Sequence, residues 1–164
     1  MLDSIAVRRA SIPDASDVFR LVEEYYDAVS VVVRDDRTKL MDYLTSAESG
    51  VWLAYCGVTA AGCILYHPLS EMAAAGEVKR LYVQPAFRRR GLAQRLLEEL
   101  ERFALGHGDE WLYLDTNDSL QAAIAFYERN GYFHCARYNE NPQATIFMRK
   151  KLPSRVQARE EPRP

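Results

Sequence analysis

Apolar residues recur along the chain with two periods, and the change from one to the other outlines the elements. Ser4-Ile-Ala-Val-Arg-Arg-Ala10 alternates and predicts a first strand, and Ser11-Ile-Pro-Asp14 reads as a helix start with a capping pattern and an early proline. Val18, Leu21, Val22, Tyr25 and Val29 then fall on one helical stripe, and a second helix is expected from about 35 to 46 with Leu40, Tyr43 and Leu44 inward. The apolar stretch 29–33 between them is read as loop. Val51-Trp-Leu-Ala-Tyr-Cys56 and Gly62-Cys-Ile-Leu-Tyr-His67, separated by Gly-Val-Thr-Ala-Ala, outline a hairpin. A loop over 68–76 leads to a fourth strand over 77–83. Leu92, Leu96, Leu97, Leu100 and Phe103 make a long helix that Gly106-His-Gly108 stops. A fifth strand at 111–115, a helix at 119–130 closed by Gly131, and strands at 132–137 and 145–152 complete the order βααβββαβαββ. This is an α/β plan with a mixed sheet.

With 164 residues, the chain is expected to form one domain over 1–152, followed by a mobile, apolar-poor tail at 153–164. The formal net charge of -2 argues against a nucleic-acid partner. Cys56, Cys63 and Cys135 contain no C-x-x-C pair, and His67, His107 and His134 are scattered, so neither a disulfide framework nor a metal site is expected. No leader-like start and no membrane-length apolar run is present, which places the expected location in the cytoplasm, away from membranes.

The chemistry gathers around Val83-Gln-Pro-Ala-Phe-Arg-Arg-Arg-Gly-Leu-Ala-Gln, where a strand ends at Pro85 and an arginine-rich loop opens a helix. A helix start offers unpaired N–H groups and the positive end of its dipole, which suits an anion such as phosphate. Neither GxxxxGK[ST] nor G-x-G-x-x-G is present. Arg88-Arg89-Arg90-Gly91-Leu92-Ala93 instead fits [Q/R]-x-x-G-x-[G/A] and resembles the coenzyme A pyrophosphate loop of the GNAT superfamily of N-acetyltransferases. Gly76-Glu-Val-Lys-Arg-Leu-Tyr-Val83 resembles that family's fourth strand, and Ala122-Ala-Ile-Ala-Phe-Tyr-Glu-Arg-Asn-Gly-Tyr132 its A-x-x-x-Y-x-x-x-G-[FY] segment, in the same order and spacing.

The resemblance implies a GNAT-like α/β fold, a mixed, mostly antiparallel sheet with splayed fourth and fifth strands and about four flanking helices. It implies an acetyl-CoA-dependent transfer to an amine acceptor, with a homodimer left open. Backbone groups of Arg89, Arg90, Gly91, Leu92, Ala93 and Gln94 would cradle the pyrophosphate, with Arg88 to Arg90 as candidate side-chain partners. Leu81, Tyr82 and Val83 would pair with the amides of the pantetheine arm. Removing a proton from a lysine-like amine costs about 4–5 kcal/mol at pH 7, against about 2 for expelling a thiolate. The first demand calls for a carboxylate, and Glu77 matches the family's strand-four base, although a strand-end Glu can also pair with Lys79 or Arg80. Tyr127 matches the family's general acid. One departure is Leu120, where many members carry Asn, with Asn117 nearby but out of register. Tyr25, Tyr26, Asp27, Asp35 and Asp36, joined by Glu71 and the Tyr138-Asn-Glu-Asn-Pro142 stretch, lie where the family builds its acceptor pocket, an acidic, aromatic wall suited to a cationic amine. A small-molecule amine is favoured over a protein acceptor. A CoA-binding module without turnover is the rival reading.

Overall fold

The structure is a computed structural model that describes residues 3–154. The tail positions 155–164, on which the expectation of mobility falls, lie outside the described residues. The elements are β1 (Ile5–Arg9), α1 (Ala15–Ala28), α2 (Arg37–Thr45), β2 (Gly50–Cys56), β3 (Thr59–Pro68), β4 (Ala75–Val83), α3 (Leu92–His107), β5 (Trp111–Thr116), α4 (Gln121–Arg129), β6 (Phe133–His134) and β7 (Ile146–Lys151). Short 3-10 turns at Ile12–Asp14 and Pro85–Phe87 precede α1 and α3. Among the described residues four helices and seven strands in the expected order make an α/β fold, with β1–β2, β2–β3, β5–β7 and β6–β7 antiparallel and β4–β5 parallel. The described residues divide into two compact units, 3–68 with 78–102 and 69–77 with 103–154, and both β4 and α3 run through the division.

In the first unit β1, β2, β3 and the later part of β4 are successive neighbours. β2 and β3 are buried along most of their length, so their near-continuous apolar runs are those of strands covered on both faces. Val18, Leu21, Val22 and Tyr26 of α1 and Leu40 and Tyr43 of α2 form one core with Val51, Leu53, Cys63, Leu65 and Tyr82. Each fully buried Leu or Val contributes about 1.5–3 kcal/mol. Tyr26 rather than Tyr25 completes the α1 stripe, because it stands one turn beyond Val22, while Tyr25 packs at the core's edge with its ring 6.4 Å from that of Tyr82. The start of α1 is fixed by Asp14, whose carboxylate accepts from Ser11 N–H at 2.9 Å and from both Arg8 Nη atoms at 2.8 and 2.7 Å. The Arg8 hydrogen bonds hold the Asp14 carboxyl well below its ordinary range.

The β2–β3 hairpin is tighter than the expected five-residue connection. Cys56 pairs with Thr59, leaving Gly57-Val58 as the turn, and a register shift at Ala54/Tyr55 absorbs the extra residue of β3. Gly62 on β3 has a packing reason: a Cβ there would lie 2.8 Å from the Tyr82 carbonyl oxygen and 3.1 Å from Val83 Cγ2. Leu92, Leu96, Leu97 and Leu100 are buried along α3 as the pattern requires, but Gly106 stays helical, and Gly108, at φ 104°, ends the helix.

In the second unit the first part of β4 is followed by β5, β7 and β6. The β4–β5 ladder is parallel and consists of Ala75↔Trp111, Gly76↔Leu112 and Glu77↔Tyr113, three of the nine residues of β4. β6 is only Phe133 and His134, shorter than expected, because residues 137–145 leave the ladder and are tied down by side-chain bonds instead. The start of α4 shifts to Gln121 for a similar reason. Asn117 Oδ1 accepts from Ser119 N–H at 2.9 Å and its Nδ2 donates to the Gln143 carbonyl at 3.0 Å, which holds 117–120 as a turn.

Candidate active site

The arginine loop belongs to the first unit. Arg89 and Gly91 both have left-handed backbones, φ 63° and 81°, and the first intrahelical bond of α3 runs from Arg95 N–H to the Gly91 carbonyl at 3.1 Å. The N–H groups of Leu92, Ala93 and Gln94 therefore have no partner inside the helix. A Cβ added at Gly91 would meet nothing within 4 Å, so no packing demand of the described protein explains the glycine. Its backbone torsion and the open space beside it suit the close approach of a phosphate-bearing group.

The loop side chains divide by task. Arg88 Nε donates to the Val83 carbonyl at 2.9 Å and its guanidinium lies 5.9 Å from the Tyr82 ring centre, closing the loop back onto β4. Arg90 Nη1 reaches Cys56 Sγ at 3.6 Å and lies over Phe87. Arg89 is exposed and has no side-chain partner among the described residues. Gln94 Nε2 donates to Glu98 at 3.0 Å. Leu92 is buried and Ala93 half-buried, so what they can offer outward is main chain. Leu81 is half-buried on β4, and Tyr82 and Val83 are buried, with the Val83 carbonyl taken by Arg88. Burial, reinforced by the charge of Glu24, pushes the Tyr82 phenol up. The same Glu24 accepts from Gln84 Nε2 at 3.0 Å and so ties α1 to the residue after β4.

Glu77 belongs to the second unit and is 3% exposed. Of the two neighbours named as alternative partners, Lys79 and Arg80, the Arg80 guanidinium lies by Asp35, Tyr25 and Tyr26. Glu77 Oε1 accepts from the Tyr138 hydroxyl at 3.1 Å. Burial, then the Glu77 charge, raises the Tyr138 phenol far above its ordinary value, so it remains a donor. The Tyr138 ring is clamped by Tyr113 and Phe147, 5.0 and 5.7 Å away between centroids. The next residues are fixed from below: Asn139 Nδ2 and Asn141 Nδ2 donate to the two Asp115 oxygens at 2.6 and 3.1 Å, and Arg137 donates to the carbonyls of Asn141 and Ala144, both at 3.1 Å. Asp115 escaped the sequence reading, which assigned the Tyr138-Asn-Glu-Asn-Pro142 stretch to the acceptor pocket without its anchor. The signal available was the polar Asn-Glu-Asn-Pro run after Tyr138, which reads as turn chemistry and does not reveal its anchor on β5.

Tyr127, also in the second unit, is 8% exposed on α4, with its ring 5.5 Å from both Phe126 and Tyr132. Asn117 is spent on the turn before α4, as described above.

Of the residues expected to wall the acceptor pocket, Tyr25, Tyr26, Asp27, Asp35 and Asp36 lie in the first unit and Glu71 and Tyr138 in the second. Tyr26 is 1% exposed, a core residue rather than an open wall, and its hydroxyl donates to Asp35 Oδ2 at 3.3 Å and accepts from Asp35 N–H at 3.0 Å. Tyr25 meets Tyr26 edge-on, 6.0 Å between centroids. Asp27 is paired with Arg34 at 2.9 Å, and Asp36 caps α2 by accepting from Lys39 N–H. Glu71 stands exposed on the turn before β4 with no side-chain partner among the described residues. Cys63 is buried and its thiol is pushed up to about 12 by that burial, which opposes a nucleophilic role.

Residues 16–132 match the acetyltransferase (GNAT) family. The chain is 29% identical over 142 residues to the uncharacterized N-acetyltransferase YsnE of Bacillus subtilis, covering 82% of this chain and 92% of that one. It is 33% identical over 95 residues to an uncharacterized N-acetyltransferase of Schizosaccharomyces pombe, where the match spans 57% of this chain and 58% of the relative. The fold is shared with the PaiA N-acetyltransferase of Thermoplasma acidophilum, solved in complex with coenzyme A, at a TM-score of 0.74 and 20% identity over 90% of this chain and 99% of the other. The loop at the start of α3, the strand before it and α4 all lie within or beside the matched region, and the chain belongs to the GNAT family of acetyltransferases as an N-acetyltransferase.

Proposed function

We propose that the protein moves the acetyl group of acetyl-CoA to a primary amine of a small molecule by direct attack, with Glu77 as general base and Tyr127 as general acid. Main-chain N–H groups over 89–94 would bind the pyrophosphate through charge-assisted hydrogen bonds, typically about 1.5–3 kcal/mol each, with Arg89 free to add its charge. Acetyl-CoA supplies an acyl group activated as a thioester. The Glu77 carboxylate takes the proton that the attacking nitrogen sheds, Tyr138 holds that carboxylate in one orientation, and the Tyr127 hydroxyl returns a proton to the leaving sulfur. A cysteine route gains no support from Cys63, whose thiol stays protonated.

The observation that carries this reading is the start of α3, where a left-handed glycine with open space at its Cβ position precedes N–H groups that have no partner inside the helix. Its test is Gly91→Glu, which puts a carboxylate where the pyrophosphate must sit. Titration calorimetry with coenzyme A should show binding to the parent and none to the folded variant, and acetyl-CoA with a broad amine panel should release thiol from the parent only. Undiminished affinity in the variant would remove the loop from the site. Tight coenzyme A binding without turnover of any amine would favour a binding module.

A further inference from the structure

Arg80 is unusual within β4. Its backbone is left-handed, φ 55°, which a non-glycine strand residue adopts only under strain, and its side chain points back at α1 and the loop after it. There the guanidinium carbon lies 5.0 Å from the Tyr26 ring centre and 5.8 Å from that of Tyr25. Asp35 Oδ2, fixed by Tyr26, stands 3.6 Å from Arg80 Nη2, near enough to balance charge and too far for a hydrogen bond. Arg80 Nε is buried with no acceptor. A planar cation with five donors is thus held between aromatic rings with its hydrogen-bonding capacity unspent among the described residues, while 15% of its side chain stays open. The acids elsewhere on α1 and the loop after it have partners of their own: Glu23 and Asp27 pair with Arg34, and Asp36 accepts from Lys39 N–H.

We propose that Arg80 binds a carboxylate on the acceptor, so that the amine acetylated is that of an amino acid or a similar amino-carboxylate. This rests on the acetyl-transfer reading and narrows it. A carboxylate matches the guanidinium fork and supplies the acceptor atoms that the protein leaves out. The recognising group lies wholly in the first unit, with Tyr25, Tyr26 and Asp35 as its mount.

The test uses pairs differing only in the carboxylate: L-leucine with 3-methylbutylamine, L-phenylalanine with 2-phenylethylamine, and L-methionine with 3-(methylthio)propylamine, at fixed acetyl-CoA. In the best pair the amino acid should be preferred by about 10–100-fold in kcat/KM, mostly through KM, and Arg80→Gln should bring that ratio toward one while Arg80→Lys keeps part of it. A parent enzyme that acetylates the decarboxylated amines as well as the acids, or an Arg80→Gln variant that keeps the preference, overturns the proposal and leaves acetyl transfer standing. Thermal shift of the coenzyme A-loaded parent with the same six compounds gives a second readout that needs no turnover. Stabilisation by the acids, lost in Arg80→Gln, supports the subsite, and no stabilisation by any of the acids refutes it. A parent that neither binds coenzyme A nor turns over any amine overturns both readings.

Discussion

In the proposed site the groups at the start of α3 are main-chain N–H groups on an exposed loop, whereas at Glu77 they are side-chain oxygens held in the interior. The loop places its ligand groups by torsions at Arg89 and Gly91, and its arginines either brace the loop, as Arg88 and Arg90 do, or stand free, as Arg89 does. The Glu77 site is assembled from residues 61 positions apart, and its support from Asp115 and the asparagines joins residues 24 and 26 apart. A backbone-built site fails only when something is put into it. A site built from buried side chains fails when one group is taken away, because its partner is then left in the interior unsatisfied.

Removals at the interior site should therefore cost the most. Glu77→Gln keeps the shape and can still accept from Tyr138, so the fold should survive while kcat/KM falls by about 10²–10⁴ and the acid-side limb of the pH–rate profile disappears. An unchanged profile would move the base role to water or another carboxylate. Tyr127→Phe, which keeps the aromatic contacts with Phe126 and Tyr132, should slow turnover roughly thirtyfold at pH 7 if thiol departure limits, with partial recovery toward pH 9. Parent-like rates with every amine at pH 7 would leave the hydroxyl a structural part or thiol departure a fast step.

Tyr138→Phe sharpens the comparison by removing a positioning group. Activity should drop about tenfold, with about 1–3 kcal/mol of stability lost, and the acid-side limb should move to higher pH because the carboxylate loses a donor. A purely structural tyrosine would lower the melting temperature and leave the pH profile in place. The smallest effect belongs to the loop. Arg89→Ala should weaken coenzyme A binding by about three- to tenfold with less dependence on salt, whereas Arg88→Ala should show itself more in melting temperature than in Kd. If the two variants exchange these phenotypes, Arg88 leaves Val83 when the ligand arrives.

The same contrast explains what could be read from the chain. The loop was legible because strand end, glycine and helix start are neighbours in sequence and each carries its own local rule. The element order was legible for the same reason, and misreadings were confined to junctions, such as the hairpin at Gly57-Val58 and the two-residue β6, where side chains far along the chain decide the path. The contact of Glu77 with Tyr138 was not legible. Lys79 and Arg80 were the nearby candidates, but the left-handed turn of backbone at Arg80 sends its side chain to Tyr25, Tyr26 and Asp35, and the hydroxyl that meets Glu77 comes from a segment read only as possible pocket wall. Nor does a stripe distinguish Tyr25 from Tyr26 when both fall near its edge.

Gly62 shows how far such coupling extends. A methyl group there would have to displace the Tyr82 carbonyl, since the clash is with backbone at 2.8 Å and not with a yielding side-chain tip. In a saturation scan selected for acetylation, position 62 should behave as intolerant as a residue touching the ligand, although it sits on a different strand and offers nothing to bind. Such a map would draw the footprint of the reaction too large by this residue, and a lowered melting temperature of Gly62→Ala would expose the error.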